Sequence, residues 1–403
     1  MVNYQEVLDL SLKKIGETQT SFIRSLEDKI DWSSRLIGIR GARGCGKTTL
    51  LLQHMKTKCA DFVKSGKAIY TSLDFIWFSN HSLYEFASSF VKNGGKILFL
   101  DEVHKYPDWT ITLKNLYDNF SELSIVFTGS SLLEILNARA DLSRRAVMYK
   151  MQGLSFREFI NLKTKNNFPI LDFEEILKNP TALSNEIVGK IKPFEFFREY
   201  LKTGYYPYFL EGLNTYPIRL EETINMILDV ELPLLRGVET AYIQKVKKLL
   251  AVIAERSPFM LNTSKISSAM ELNRQTLLAY LKYLTDAKLI YSLYKDAKGV
   301  SSMQKPDKIY LENTNLMFLL QGRNAEEGNI RETFLVNQLS NSHFVELSPV
   351  SDFLVDGTYT IECGGKNKTG EQIKNLENAF IAADGIEIGL GARIPLWLFG
   401  FLY

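Results

Sequence analysis

Apolar residues recur at helical spacing near the start of the chain: Val7, Leu10, Leu12 and Ile15, then Phe22, Ile23 and Leu26. They predict an amphipathic helix within residues 1–30 that packs beside the following domain. From Arg35 the period changes. Residues 36–39 read as a short buried strand, 49–55 as a helix and 68–73 as a second strand. Ser82 caps a helix carrying Leu83, Phe86, Ala87, Phe90 and Val91. Apolar runs at 97–100 and 124–127 predict two further strands, buried on both faces. Strand and helix in turn predict a parallel α/β sheet over residues 31–152. Residues 153–235 are helical in pattern, broken at Asn179-Pro180. They read as a lid and connector that moves against the sheet domain. Residues 236–312 give helix, short helix, turn, helix, then strands at 289–293 and 308–311 around a polar loop, which is the order of a winged helix-turn-helix. Residues 313–403 form a last segment. Its apolar end, 394–403, is half the length that spans a bilayer and reads as a buried strand.

Composition adds little to this picture. The chain has 403 residues, 45% hydrophobic and 23% charged, which suits an ordinary globular protein of two to four domains. Its net charge of +2 is uninformative overall. Residues 241–312, however, hold 12 Lys and Arg against 6 Asp and Glu, so the basic excess is local. The three cysteines, Cys45, Cys59 and Cys363, form no C-x-x-C pair, as in a reducing cytosol. The first residues lack a signal-peptide pattern, and a cytoplasmic protein is expected.

The chemistry starts at Gly41-Ala42-Arg43-Gly44-Cys45-Gly46-Lys47-Thr48-Thr49, which fits the phosphate-binding P-loop G-x-x-x-x-G-K-[ST] between a strand and a helix. Its backbone N–H groups and the helix N-terminus suit an anion. Lys47 is expected on the β/γ-phosphates of ATP and Thr48 on Mg²⁺. The run ending in Asp101-Glu102 reads as a Walker B strand. Asp101 would hold Mg²⁺ at the carboxyl end of the sheet, and Glu102 would polarise the attacking water. The next strand, 124–131, ends in small hydroxyls: Thr128 and Ser130 are candidates to contact the γ-phosphate or that water, while Ser131 caps a helix beginning at Leu132. Arg139, Arg144 and Arg145 follow, and Arg144 is the candidate arginine finger. His104 reads as a supporting loop histidine.

The segment Leu100-Asp101-Glu102-Val103-His104-Lys105-Tyr106-Pro107-Asp108-Trp109, with Phe127-Thr128-Gly129-Ser130-Ser131, resembles a bacterial and archaeal group of AAA-family ATPases. Leu154-Ser155-Phe156-Arg157-Glu158-Phe159 and Gly204-Tyr205-Tyr206-Pro207 resemble the helical-region motifs of the same group. The resemblance covers nearly the whole chain. It implies an AAA-type core, a winged helix and a C-terminal domain similar to PD-(D/E)xK nucleases. In such nucleases an acid and a later E-x-K triplet converge on Mg²⁺. Glu332, Asp356 and Glu362 fit the acids. Gly364 stands where the lysine belongs, leaving Lys366 or Lys368 to reach back, so a non-cleaving scaffold is expected.

Together these readings predict an Mg²⁺-dependent AAA-type ATPase coupled to DNA through the winged helix. Arg274, Gln275, Thr276, Tyr280 and Lys282 would lie on the recognition helix. The alternatives are a nucleotide-dependent switch that binds protein, and an ATP-gated nuclease.

Overall fold

The apolar runs of the first half become the strands of one parallel sheet. A computed structural model of the chain describes residues 3–132, 142–295 and 305–403. They fall into two units, Met1–Gly153 and Leu154–Tyr403. The first unit contains β1 (Leu36–Gly41), β2 (Ala68–Ser72), β3 (Ile97–Asp101), β4 (Ser124–Ser130) and β5 (Val147–Met151). All pairings are parallel, in the order β2-β3-β4-β1-β5. Because β4 lies between β1 and β3, the P-loop, Thr128 and Asp101 emerge side by side at the carboxyl edge.

Alternate residues of the strands enter two cores. Leu36, Leu98, Leu100, Ile125 and Phe127 pack with Phe86, Phe90, Leu113 and Leu116, from the helices Leu83–Lys92 and Trp109–Asn119. Ile37, Ile39, Phe99 and Val126 pack with Leu50, Leu51 and Met55 of the helix Lys47–Thr57. Burial on both faces explains why these strands read as continuous apolar runs. The edge strand β5 gave no such run, because Val147 and Met148 are exposed. Ser82 does cap its helix, accepting from the Glu85 N–H.

The N-terminal helix is shorter than its pattern suggested. It covers Gln5–Glu17, the chain is extended at Thr18, and only a 3-10 turn, Ser25–Lys29, follows. Its buried residues are Val7, Ser11 and Ile15, four apart, while Leu10 and Leu12 are exposed. Ser11 Oγ accepts the Tyr70 N–H of edge strand β2 at 2.9 Å, so a polar residue on the inward face closes an open sheet edge. Arg139 and most of the helix expected from Leu132 lie outside the described residues.

In the second unit, the helices Phe156–Thr164 and Pro193–Glu199 share a core with the end of the chain, and the helix Tyr216–Met226 follows them. Phe156 meets the rings of Phe197, Tyr200 and Phe401. The motif beginning at Leu154 is structural here. Ser155 and Glu158 form a capping box, and Ser155 Oγ also donates to the Tyr403 carbonyl at 2.6 Å. Asn315 holds the motif around Tyr205. Its Oδ1 accepts from the Tyr205 N–H (2.9 Å) and Tyr216 OH (2.5 Å), and its Nδ2 donates to the carbonyls of Tyr200 and Leu201.

Helices Thr240–Arg256, Thr263–Met270 and Arg274–Asp286 accompany a three-stranded antiparallel sheet, β6 (Phe259–Met260), β8 (Lys308–Leu311) and β7 (Ile290–Leu293) in that order. A mixed sheet completes the unit: β9 (Val345–Leu347), β10 (Phe353–Val355), β11 (Tyr359–Gly364), β12 (Ala379–Ala383) and β13 (Arg393–Pro395). It is antiparallel from β9 to β11 and parallel from β11 to β13. The terminal apolar run is buried as expected, but only Ile394 and Pro395 of it are strand. Leu396–Phe401 form a 3-10 turn. No helix among the described residues is long and apolar enough to cross a membrane.

Candidate nucleotide site and acidic cluster

The P-loop links β1 to the helix Lys47–Thr57. Gly46 takes a left-handed backbone (φ +98°), which a side chain would strain. Gly41 must also be glycine for a different reason: a Cβ there would fall 2.3 Å from the Met151 carbonyl of β5. Lys47 is buried, with Nζ donating to the carbonyls of Gly41 (3.0 Å) and Ala42 (3.1 Å). Ala42 and Cys45 are buried, Arg43 is half-buried, and Gly44 and Thr49 are exposed.

Thr48 Oγ1 donates to Asp101 Oδ2 at 2.6 Å, joining the first helical turn to the end of β3. Asp101 is 2% exposed and receives two further hydroxyls, Tyr70 OH on Oδ2 (2.9 Å) and Thr128 Oγ1 on Oδ1. Burial, with Asp101 beside it, pushes the Tyr70 phenol far above its ordinary pKa, so Tyr70 stays a donor. The Glu102 N–H donates back to Thr128 Oγ1 at 3.1 Å. Glu102 has φ +52°, a left-handed backbone uncommon outside glycine and typical of sites where strain positions a side chain. Its carboxylate lies 3.3 Å from Nε2 of the buried His104. A hydroxyl and a carboxylate oxygen 2.6 Å apart are the hard oxygen donors that Mg²⁺ takes.

Of the two candidates at the end of β4, Thr128 reaches Asp101, whereas Ser130 Oγ accepts the Leu132 N–H at 3.3 Å. Arg145 forms a two-pronged pair with Asp118 (2.9 and 3.0 Å), while Arg144 is exposed with φ +66°. Sequence reasoning missed Tyr70 and read His104 as a supporting loop histidine without naming what it supports. A hydroxyl inside a buried strand was the available signal for Tyr70. His104 gave none, since its approach to Glu102 depends on the 3-10 turn Val103–Lys105.

In the helix Arg274–Asp286 the N-cap Asn273 accepts the Thr276 N–H at 2.8 Å. Arg274, Gln275 and Lys282 are exposed and Thr276 is half-buried. Tyr280 is 6% exposed and belongs to the core, which removes it from any surface this helix presents. Part of the local basic excess is used internally. Lys288 pairs with Glu312, Lys247 with Asp229 and Lys308 with Glu332.

The acidic set assembles with one replacement. Asp356 does not join it. It lies in the β10–β11 turn, where Oδ1 accepts the Phe344 N–H and Oδ2 meets His343 Nδ1 at 2.7 Å. The register Phe353↔Ile361 instead sets Asp352 next to Glu362, and Asp352 Oδ2 accepts the Cys363 N–H at 2.8 Å. Burial, then the Glu332 charge, raise the Asp352 carboxyl above its ordinary pKa. Lys366 is exposed, whereas Lys368 Nζ reaches Glu362 Oε1 at 2.9 Å. Gly364 makes this possible: a Cβ there would fall 2.7 Å from the Lys368 stem. Glu332 receives Lys308 Nζ (2.6 Å) and Tyr310 OH (2.8 Å).

The parallel sheet, the loop and the acids at its edge define a P-loop domain. Residues 33–160 match the family described as an AAA domain. Residues 194–327 match a domain of unknown function, across the boundaries drawn at 235 and 312. An uncharacterized protein of Methanocaldococcus jannaschii is 26% identical over 304 residues, covering 70% of this chain and 63% of that protein. Two solved structures align at low identity. The Aeropyrum pernix ORC1 protein in complex with DNA is 14% identical, with 80% of this chain and 93% of that one covered and a TM-score of 0.32. AMPPCP-bound DnaA from Aquifex aeolicus is 16% identical, with 72% and 90% covered and a TM-score of 0.26. Likenesses this slight carry no argument about fold or function.

Proposed function

We propose that the first unit binds ATP with Mg²⁺ and hydrolyses it. The observation that carries this is the hydroxyl–carboxylate chain Thr48–Asp101–Thr128, ending on the backbone of Glu102. Lys47 leaves its loop carbonyls for the β/γ-phosphates, and the loop N–H groups cradle them. Thr48 and Asp101 would hold the cation, which would supply positive charge to offset that of the phosphates. Glu102, aimed by its left-handed backbone and by His104, orients the attacking water and takes its proton. Thr128 reports the γ-phosphate to both acids, and Ser130 shapes the turn beside it. Arg144, exposed and unlike Arg145 without a two-pronged pair to Asp118, is the finger candidate. Lys47→Met tests binding: MgATP titrated calorimetrically should give heat with wild type and none with the variant. Equal binding by both would contradict the assignment.

The second unit is read as a nucleic-acid contact. Its three helices and hairpin follow a winged-helix order, and Arg274, Gln275 and Lys282 stand on the open face of the third helix. Protein binding through the same face is the second reading, favoured by the internal pairing of Lys247, Lys288 and Lys308. The Glu332–Asp352–Glu362 cluster is proposed as a nuclease-like scaffold that does not cleave. Lys308 and Lys368 occupy its acids with ammonium groups, which supports that reading.

A further inference from the structure

The segment between the first helix and β1 sends one side chain into the nucleotide loop. Arg24 is 7% exposed, and its guanidinium donates to three main-chain carbonyls. Nη1 reaches Cys45 at 2.8 Å, and Nη2 reaches Gln152 at 2.8 Å and Gly153 at 2.9 Å. Cys45 belongs to the P-loop, immediately before Gly46. Gln152 and Gly153 are the last residues of the first unit, just after β5.

In a planar trans peptide the C=O and the following N–H point in opposite directions. A guanidinium that fixes the Cys45 carbonyl therefore also fixes the Gly46 N–H on the opposite side of the peptide, one of the loop N–H groups available to cradle a phosphate. The Gly46 carbonyl in turn accepts the Leu50 N–H at 3.0 Å, so the same residue starts the helix behind the phosphate site. Arginine suits this place because its rigid fork spans carbonyls from two chain segments, which a single ammonium does not. Gly41, pressed against the Met151 carbonyl, ties the other end of the loop to the same strand exit.

We propose that Arg24 is a positioning residue of the nucleotide site. It presets the Cys45–Gly46 peptide for phosphate binding and ties that peptide to the residues leading out of the first unit. The inference rests on the ATP reading of the P-loop. Without Arg24 the loop samples other peptide orientations, and nucleotide binding must select the competent one.

The experiment is MgATP calorimetry and steady-state turnover on the full chain, comparing wild type, Arg24→Lys and Arg24→Met. Gln53→Leu is the control. Gln53 Nε2 donates to the carbonyls of Gln19 (2.8 Å) and Phe22 (2.7 Å), so losing it loosens the same segment without freeing Cys45. Both Arg24 variants should weaken MgATP by about tenfold or more, the scale of one charged hydrogen bond. KM should rise by more than kcat falls, and lysine should not restore the loss. Gln53→Leu should lower the melting temperature yet keep MgATP affinity within about twofold, since no loop carbonyl is released. Wild-type affinity in Arg24→Lys, or an equal loss in Gln53→Leu, would overturn the proposal. Wild type that fails to bind MgATP would instead overturn the nucleotide reading, and the positioning role with it.

Discussion

Asp352 shows how one residue's place decides its chemistry. The sequence offers Asp352 and Asp356 four positions apart, and either could end up near Glu362. The hairpin register selects the first, because Phe353 faces Ile361 and the turn carries Asp356 away. No local pattern announces that register. Lys368 was equally hard to assign, since its route back depends on the missing side chain of Gly364. The P-loop residues needed no such help, because glycines, lysine and threonine at fixed spacing specify their own geometry. Asp352 also makes a pH prediction. Burial and Glu332 raise its carboxyl above the ordinary 3.8, so the folded protein holds this proton more tightly than the unfolded chain. The stabilisation is complete below pH 3.8 and is lost as pH rises through the raised value. Asp352→Asn keeps an acceptor for the Cys363 N–H but does not titrate. Relative to wild type, its melting temperature should therefore gain as pH rises from 3.8 through that window. Parallel profiles for the two proteins would show that the shift is absent.

Among the elements, strands buried on both faces were legible from their apolar runs, and the helix after Ser82 from its cap. The misses share a physical cause. β5 is an exposed edge, and the N-terminal helix stops at Glu17 although apolar residues continue beyond it. Its inward stripe contains Ser11, which period counting discards as polar. That serine accepts the Tyr70 N–H, and Tyr70 in turn donates to Asp101, so the helix supports the nucleotide site through β2. Ser11→Ala leaves a buried N–H without this acceptor and should cost about 1–3 kcal/mol of stability. Chemical denaturation of the variant measures it, and an unchanged midpoint and slope would refute the role given to Ser11.

The whole molecule carries a P-loop domain, whose residues 33–160 match an AAA family, and a second unit with Arg274 and Lys282 exposed on one helix. If that helix meets DNA, Arg274→Glu with Lys282→Glu should weaken binding and flatten its salt dependence. The slope of log K against log salt should drop by about 2 when two phosphate contacts are lost. An unchanged slope would favour a protein partner. The central claim concerns hydrolysis, and MgATP turnover by wild type and Glu102→Gln, measured beside MgATP binding, tests it most directly. The variant should bind MgATP as wild type does while turnover falls by about 10²-fold or more, the scale of a lost general base. Turnover that persists in Glu102→Gln would contradict it, because the residue held in a strained backbone beside Asp101 and His104 would then have no part in the reaction.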